Sequence, residues 1–205
     1  MIKYFALLLL ISFAIAQAKS GDGKIAGGVP FSIFMAPFQV GVLKNGGGFC
    51  GGSIIGPTWI LSSAHCLENK AKDSFVVSAG TADLHVPIVI RNVKNIIVHP
   101  EFNTTVYLNF DIALLNLDQK LVYSRSIIPI KLVDQNQILT PGTLCKITGW
   151  GQSNITIVPD THLRGTYVEL ASYECCMSNW GAGITRSMLC TGPLNGQQMS
   201  CGGLF

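Results

Sequence analysis

The sequence predicts an all-β protein made of many short strands, arranged as a sandwich or a barrel. Three observations carry that expectation. Apolar runs of strand length, rich in Val and Ile, recur along the chain and are bounded by Gly, Pro, Asn or Asp. Only 12% of the 205 residues are charged while 22 are glycine, a mix that suits tight turns better than a helical bundle. No long amphipathic helix and no repeat of solenoid period interrupts the pattern. Periodicity alone does not choose between sandwich and barrel.

The elements follow in order. Lys3, an apolar run from Tyr4 to Ala16 and then Ala16-Gln17-Ala18 read as a secretory signal peptide over residues 1–18. The run falls short of the ~20 residues that span a bilayer, so a secreted, extracellular chain without a membrane partner is expected. A short polar stretch, 19–24, leads to Ile25-Ala26-Gly27-Gly28. Strands are predicted at 37–43, 52–55, 59–62, 75–79, 86–90, 96–98, 112–117, 145–148 and 166–170, and one short helix at 173–180. Each predicted strand is short, and turn residues set its ends. Polar residues and Pro141-Gly142 break the pattern near 133–143, marking a seam between two halves.

Charge excludes some functions. Lys and Arg number 14 against 11 Asp and Glu, and no basic run stands out. Nucleic acid is therefore not an expected partner. No metal or other cofactor is expected either. Cys175-Cys176 with His162 lacks zinc-site spacing, and Gly46-Gly47-Gly48 sits in a hairpin turn rather than a phosphate loop. Seven cysteines suit an oxidising compartment, and the odd number leaves at least one outside any internal pair. Asn103-Thr104-Thr105 and Asn154-Ile155-Thr156 are sequons, making Asn103 and Asn154 candidate glycan sites.

The most informative segment is Cys50-Gly51-Gly52-Ser53-Ile54-Ile55, followed by Trp59-Ile60-Leu61-Ser62-Ser63-Ala64-His65-Cys66. It resembles the histidine region of the chymotrypsin/trypsin-like serine proteases. Asn109-Phe110-Asp111-Ile112-Ala113-Leu114-Leu115 resembles the segment that carries their aspartate. Gly142-Thr143-Leu144-Cys145-Lys146-Ile147-Thr148-Gly149-Trp150-Gly151 resembles the opening of their second barrel. Ile184-Thr185 and Met188-Leu189-Cys190-Thr191-Gly192 resemble the approach to their specificity pocket, and Lys24-Ile25-Ala26-Gly27-Gly28 resembles their activation site. The likeness runs from Ile25 to about Cys201.

The resemblance implies a two-barrel antiparallel fold over 25–205, with the second barrel incomplete and the active site between the barrels. It implies His65 as general base and Asp111 as the carboxylate that orients it, with cleavage between Lys24 and Ile25 on activation. It also implies disulfides Cys50–Cys66 and Cys176–Cys190. Cys145 and Cys201 would pair with cysteines beyond Phe205, and Cys175 is extra. Met199 stands two residues before Cys201, where trypsin-like members carry an Asp in the specificity pocket. The implied partners are polypeptide substrates or protein protease inhibitors, and the implied state is a monomer.

The nucleophile is where the pattern departs. The family carries Cys, one variable residue, then Gly-Asp-Ser-Gly-Gly-Pro. This chain reads Met199-Ser200-Cys201-Gly202-Gly203-Leu204-Phe205, without that serine or the Asp before it. A freed Ile25 amine would lack its usual buried partner. The expectation is a secreted serine-type endopeptidase family member that is inactive as written and truncated before or at the serine loop. The alternative is a non-catalytic secreted homologue acting as a binding or regulatory module. A cysteine protease is disfavoured, because Cys66 is expected in a disulfide.

Overall fold

A two-residue alternation of buried and outward side chains builds the first half of the chain into a closed barrel. The structure is a computed structural model that describes residues 24–25, 28–45, 47–103, 105, 108–151, 160–180, 183–192 and 200–201. Two short strands come first, β1 (Lys24–Ile25) and β2 (Val29–Pro30). The barrel strands are β3 (Gln39–Lys44), β4 (Phe49–Gly56) and β5 (Trp59–Ser62), then β6 (Phe75–Ala79), β7 (Val89–Val98) and β8 (Ala113–Leu117). A single-turn helix, α1 (Ala64–Leu67), sits between β5 and β6. The spatial order is β3-β4-β5-β8-β7-β6, and β6 pairs back onto β3, which decides barrel over sandwich.

Strand β8 shows why the barrel closes. Ala113, Leu115 and Leu117 are buried, and Leu114 and Asn116 alternate with them. Val40, Val42, Ile54, Ile60, Val77 and Val93 complete a dry interior filled by side chains. Burial of each such side chain stabilises the fold by about 1.5–3 kcal/mol. Of the predicted run 86–90 only residues 89–90 are strand; with the run 96–98 they form the two ends of β7, a single ten-residue strand. Polar Arg91, Asn92, Lys94 and Asn95 separate them because most of this strand faces water, with Val93 its one fully buried residue.

The second half contains β9 (Leu144–Gly151), β10 (Asp160–Leu170), helix α2 (Tyr173–Trp180), β11 (Thr191–Gly192) and β12 (Ser200–Cys201). Strand β10 pairs with β9, β11 and β2, so Val29–Pro30 join the second sheet rather than the barrel. Among the described residues this half is an open four-stranded sheet rather than a closed barrel. Residues 118–143, between β8 and β9, form no strand or helix.

Phe31, Ile33, Ala36, Leu84, Trp150 and Leu163 form a second apolar cluster where barrel and sheet meet. Polar groups in this seam are satisfied. Trp150 Nε1–H donates to Ala82 O at 3.0 Å. The buried Thr148 hydroxyl donates to Gln39 Oε1 at 2.7 Å, and Gln39 Nε2 donates to Gly52 O at 3.3 Å. No helix among the described residues is long and apolar enough to cross a membrane.

Candidate active site

His65 lies on α1, directly after β5 delivers the chain to the rim of the barrel. Three restraints hold that turn. Cys66 is bonded to Cys50 on β4, with Cα atoms 6.5 Å apart. The Ser62 hydroxyl donates to Gly51 O at 2.7 Å. The His65 backbone N–H donates to Asp111 Oδ1 at 2.8 Å. Gly52 permits the close approach of β4 and β5: a Cβ there would lie 2.8 Å from Ile60 Cγ2 and 3.1 Å from Leu61 O.

Asp111 stands just before β8 and reaches His65 with both oxygens. Its Oδ2 lies 2.6 Å from His65 Nδ1. A carboxylate only accepts, which assigns the ring proton to Nδ1 and makes Nε2 the nitrogen that carries the lone pair. The Asp111 side chain is 8% exposed and that of His65 is 32% exposed, so the carboxylate is shielded while the imidazole stays reachable. The pair therefore combines an oriented ring with a partly exposed imidazole, whose Nε2 lies 3.4 Å from the Cys66 sulfur, an arrangement compatible with a general base.

The turn that presents Asp111 is itself unusual. Leu108 and Phe110 have φ of 58° and 54°, left-handed backbone that non-glycine residues adopt rarely. The Phe110 ring stacks on His99 with centroids 4.8 Å apart. Asn109 meets Thr185 and Ser187 of the second half. Asn109 and Thr185 belong to separate sequence motifs, and neither motif by itself signals their contact. Their only signal was membership of two segments that both resemble one family.

The other expected site residues divide. Cys176 and Cys190 form the second disulfide, tying α2 to the segment before β11. Cys145 is a half-buried thiol, and Cys175 is exposed on α2 outside both disulfides. The backbone of Lys24 and Ile25 pairs with Cys201 and Ser200 respectively, placing the expected cleavage bond in a two-stranded ladder. Asn103 is exposed, and its Oδ1 accepts from Thr105 N–H at 2.8 Å and from the Thr105 hydroxyl at 2.6 Å. The expected signal peptide, Asn154, Met199 and the 202–205 end lie outside the described residues.

Cys50, His65 and Cys66 place ligand-type atoms within 4.8 Å of one another. The two sulfurs are joined in a disulfide, and so offer no thiolate to a metal. A cavity of about 270 Å³ opens in the second half, lined among others by Tyr173, Glu174, Arg186 and Leu189. Neither His65 nor Asp111 lines it.

Comparison with known proteins agrees with this geometry. The family described as Trypsin matches residues 25–203. Granzyme M of Homo sapiens is 30% identical over 200 residues, which is 97% of this chain and 77% of that protein. Transmembrane protease serine 9 of Rattus norvegicus is 32% identical over 188 residues, 88% of this chain but only 17% of that larger protein. A solved structure described as "Structure of GrC" superposes with a TM-score of 0.73 at 27% identity, covering 82% of this chain and 75% of that one.

Proposed function

Because the chain belongs to the trypsin family of serine proteases, we propose that His65 and Asp111 are the base and orienting carboxylate of a secreted, peptide-hydrolysing site. The observation that carries this reading is the double engagement of Asp111, on the His65 backbone N–H and on Nδ1. In the reaction, Nε2 takes the proton of a serine hydroxyl as the hydroxyl oxygen attacks the peptide carbonyl. The imidazolium that forms is stabilised by Asp111 and returns the proton to the leaving amine. The substrates are polypeptides, and protein inhibitors of proteases are the second class of partner. Lys24 and Ile25 mark the activation cleavage, and Met199 belongs to the specificity pocket.

Residues 1–205 are proposed to be inactive by themselves, because the stretch that resembles the nucleophile region runs Cys201-Gly202-Gly203-Leu204-Phe205 without a serine. The same observation favours the second reading, a non-catalytic secreted homologue that binds through the protease surface. A serine-directed fluorophosphonate probe separates the readings. The chain of 1–205 is expected to remain unlabelled, whereas a secreted form continuing through Gly-Asp-Ser-Gly-Gly is expected to label in a His65-dependent way. Labelling of 1–205 that disappears in His65→Ala overturns the proposed inactivity. A longer form that binds protease inhibitors yet never labels supports the binding role.

A further inference from the structure

Asp111 hangs on a turn that its own backbone does not favour. Leu108 and Phe110 both occupy the left-handed region, which L residues hold only when their surroundings impose it. Local pairing supplies part of the restraint. Asn103 and Asn109 exchange backbone hydrogen bonds, each of 3.1 Å, closing a hairpin just before Asp111. Stacking of Phe110 on His99 supplies another part.

The remaining restraint comes from the other half of the molecule. Asn109 Oδ1 accepts from the Thr185 hydroxyl at 2.7 Å and from the Ser187 hydroxyl at 2.5 Å. The two hydroxyls lie 2.8 Å apart, so the three groups form a closed set. The segment that offers them is braced in turn. The Tyr173 hydroxyl donates to Ile184 O at 3.3 Å, Met188 N–H donates to Thr185 O at 3.1 Å, and the Arg186 guanidinium lies over the Tyr173 ring at 4.6 Å. The disulfide Cys176–Cys190 ties this same segment to α2.

We propose that Asn109 is a positioning residue through which the second half, by way of Thr185 and Ser187, holds the Asp111 turn in register with His65. The proposal rests on His65 and Asp111 being a functional pair. It deepens that reading by making the geometry of a first-half pair depend on the docking of the second half. A carboxamide oxygen suits the role, since its two lone pairs accept both hydroxyls while the backbone of Asn109 stays paired with Asn103.

The test is NMR on the full chain, labelled with ¹⁵N at histidine and backbone. Exchange of the His65 Nδ1 proton is read against exchange of the Leu115 amide in the barrel. Loss of global stability moves both signals, whereas a positioning effect moves only the first. Asn109→Ala is expected to speed Nδ1 exchange relative to Leu115 by about fivefold, the factor set by one net hydrogen bond. Thr185→Val combined with Ser187→Ala removes the donors from the opposite side and is expected to do the same. All three changes together should add little more, since they cut one interaction. Asn109→Asp keeps the accepting oxygen and should restore slow exchange.

Should Asn109→Ala disturb folding, the Thr185/Ser187 variant gives the same reading from partly exposed positions. Unchanged relative exchange in that variant, alongside fast exchange in Asp111→Ala, overturns the clamp and leaves the pair standing. Unchanged relative exchange in Asp111→Ala overturns the pair and the clamp together.

Discussion

Each oxygen of Asp111 does separate work: Oδ1 holds the backbone at the start of α1, and Oδ2 holds the imidazole. Asp111→Ala leaves both N–H groups without their acceptor. It should lower unfolding free energy by about 1–3 kcal/mol, measured by urea titration. Asp111→Asn keeps the shape but offers an amide that can donate to Nδ1. The ring should then favour the Nε2–H tautomer, visible in its ¹⁵N shifts, and lose its lone pair toward the cleft. Gly52 is constrained by space. A methyl at that position meets Ile60 and the Leu61 carbonyl, so Gly52→Ala should cost about 1–3 kcal/mol and shift β4 against β5.

At the scale of elements, the loop after β6 and strand β10 meet through charge as well as backbone. Asp83 and His162 face each other at 3.6 Å, while Leu84 N–H donates to Thr161 O at 3.1 Å and Leu163 N–H to Ala82 O at 2.6 Å. The Asp83 carboxyl is held below its ordinary value of 3.8 chiefly by the His85 backbone N–H; burial opposes this, and the charge of His162 adds a lesser lowering. A depressed folded-state value means that the ionised form stabilises the fold. That stability is present above the unfolded value and is lost as pH falls through the lowered one. Asp83→Asn should therefore melt below the parent near pH 6, with the difference closing below about pH 4, in a pH series of thermal midpoints. An equal difference at every pH would point to the hydrogen bond alone.

The whole molecule depends on its seam. Trp150 packs among Phe31, Ile33, Ala36, Leu84 and Leu163, and its indole N–H is bonded to Ala82 O. Trp150→Ala should cost about 3–5 kcal/mol and split one cooperative melting transition into two, read by calorimetry and near-ultraviolet dichroism. The buried Thr148–Gln39–Gly52 chain crosses the same seam and ends on β4, the strand disulfide-bonded to the histidine turn. Damage to the seam should therefore reach His65.

The sequence by itself determined several of the elements and the two motifs that meet at the candidate site. Turn residues and two-residue alternation located β5 and β6 at their observed bounds and α2 at Tyr173–Trp180, because these are properties of neighbouring residues. The segments around His65 and Asp111 singled out two residues that the fold brings to 2.6 Å of each other, because each motif is a run of neighbouring residues. Tertiary structure alone decided that β6 closes onto β3, that β2 joins the second sheet, and that Asn109 meets Thr185 across a separation of 76 residues. Pairings between distant segments leave no period in the sequence. They arise when strand edges satisfy their hydrogen bonds and apolar faces leave water together.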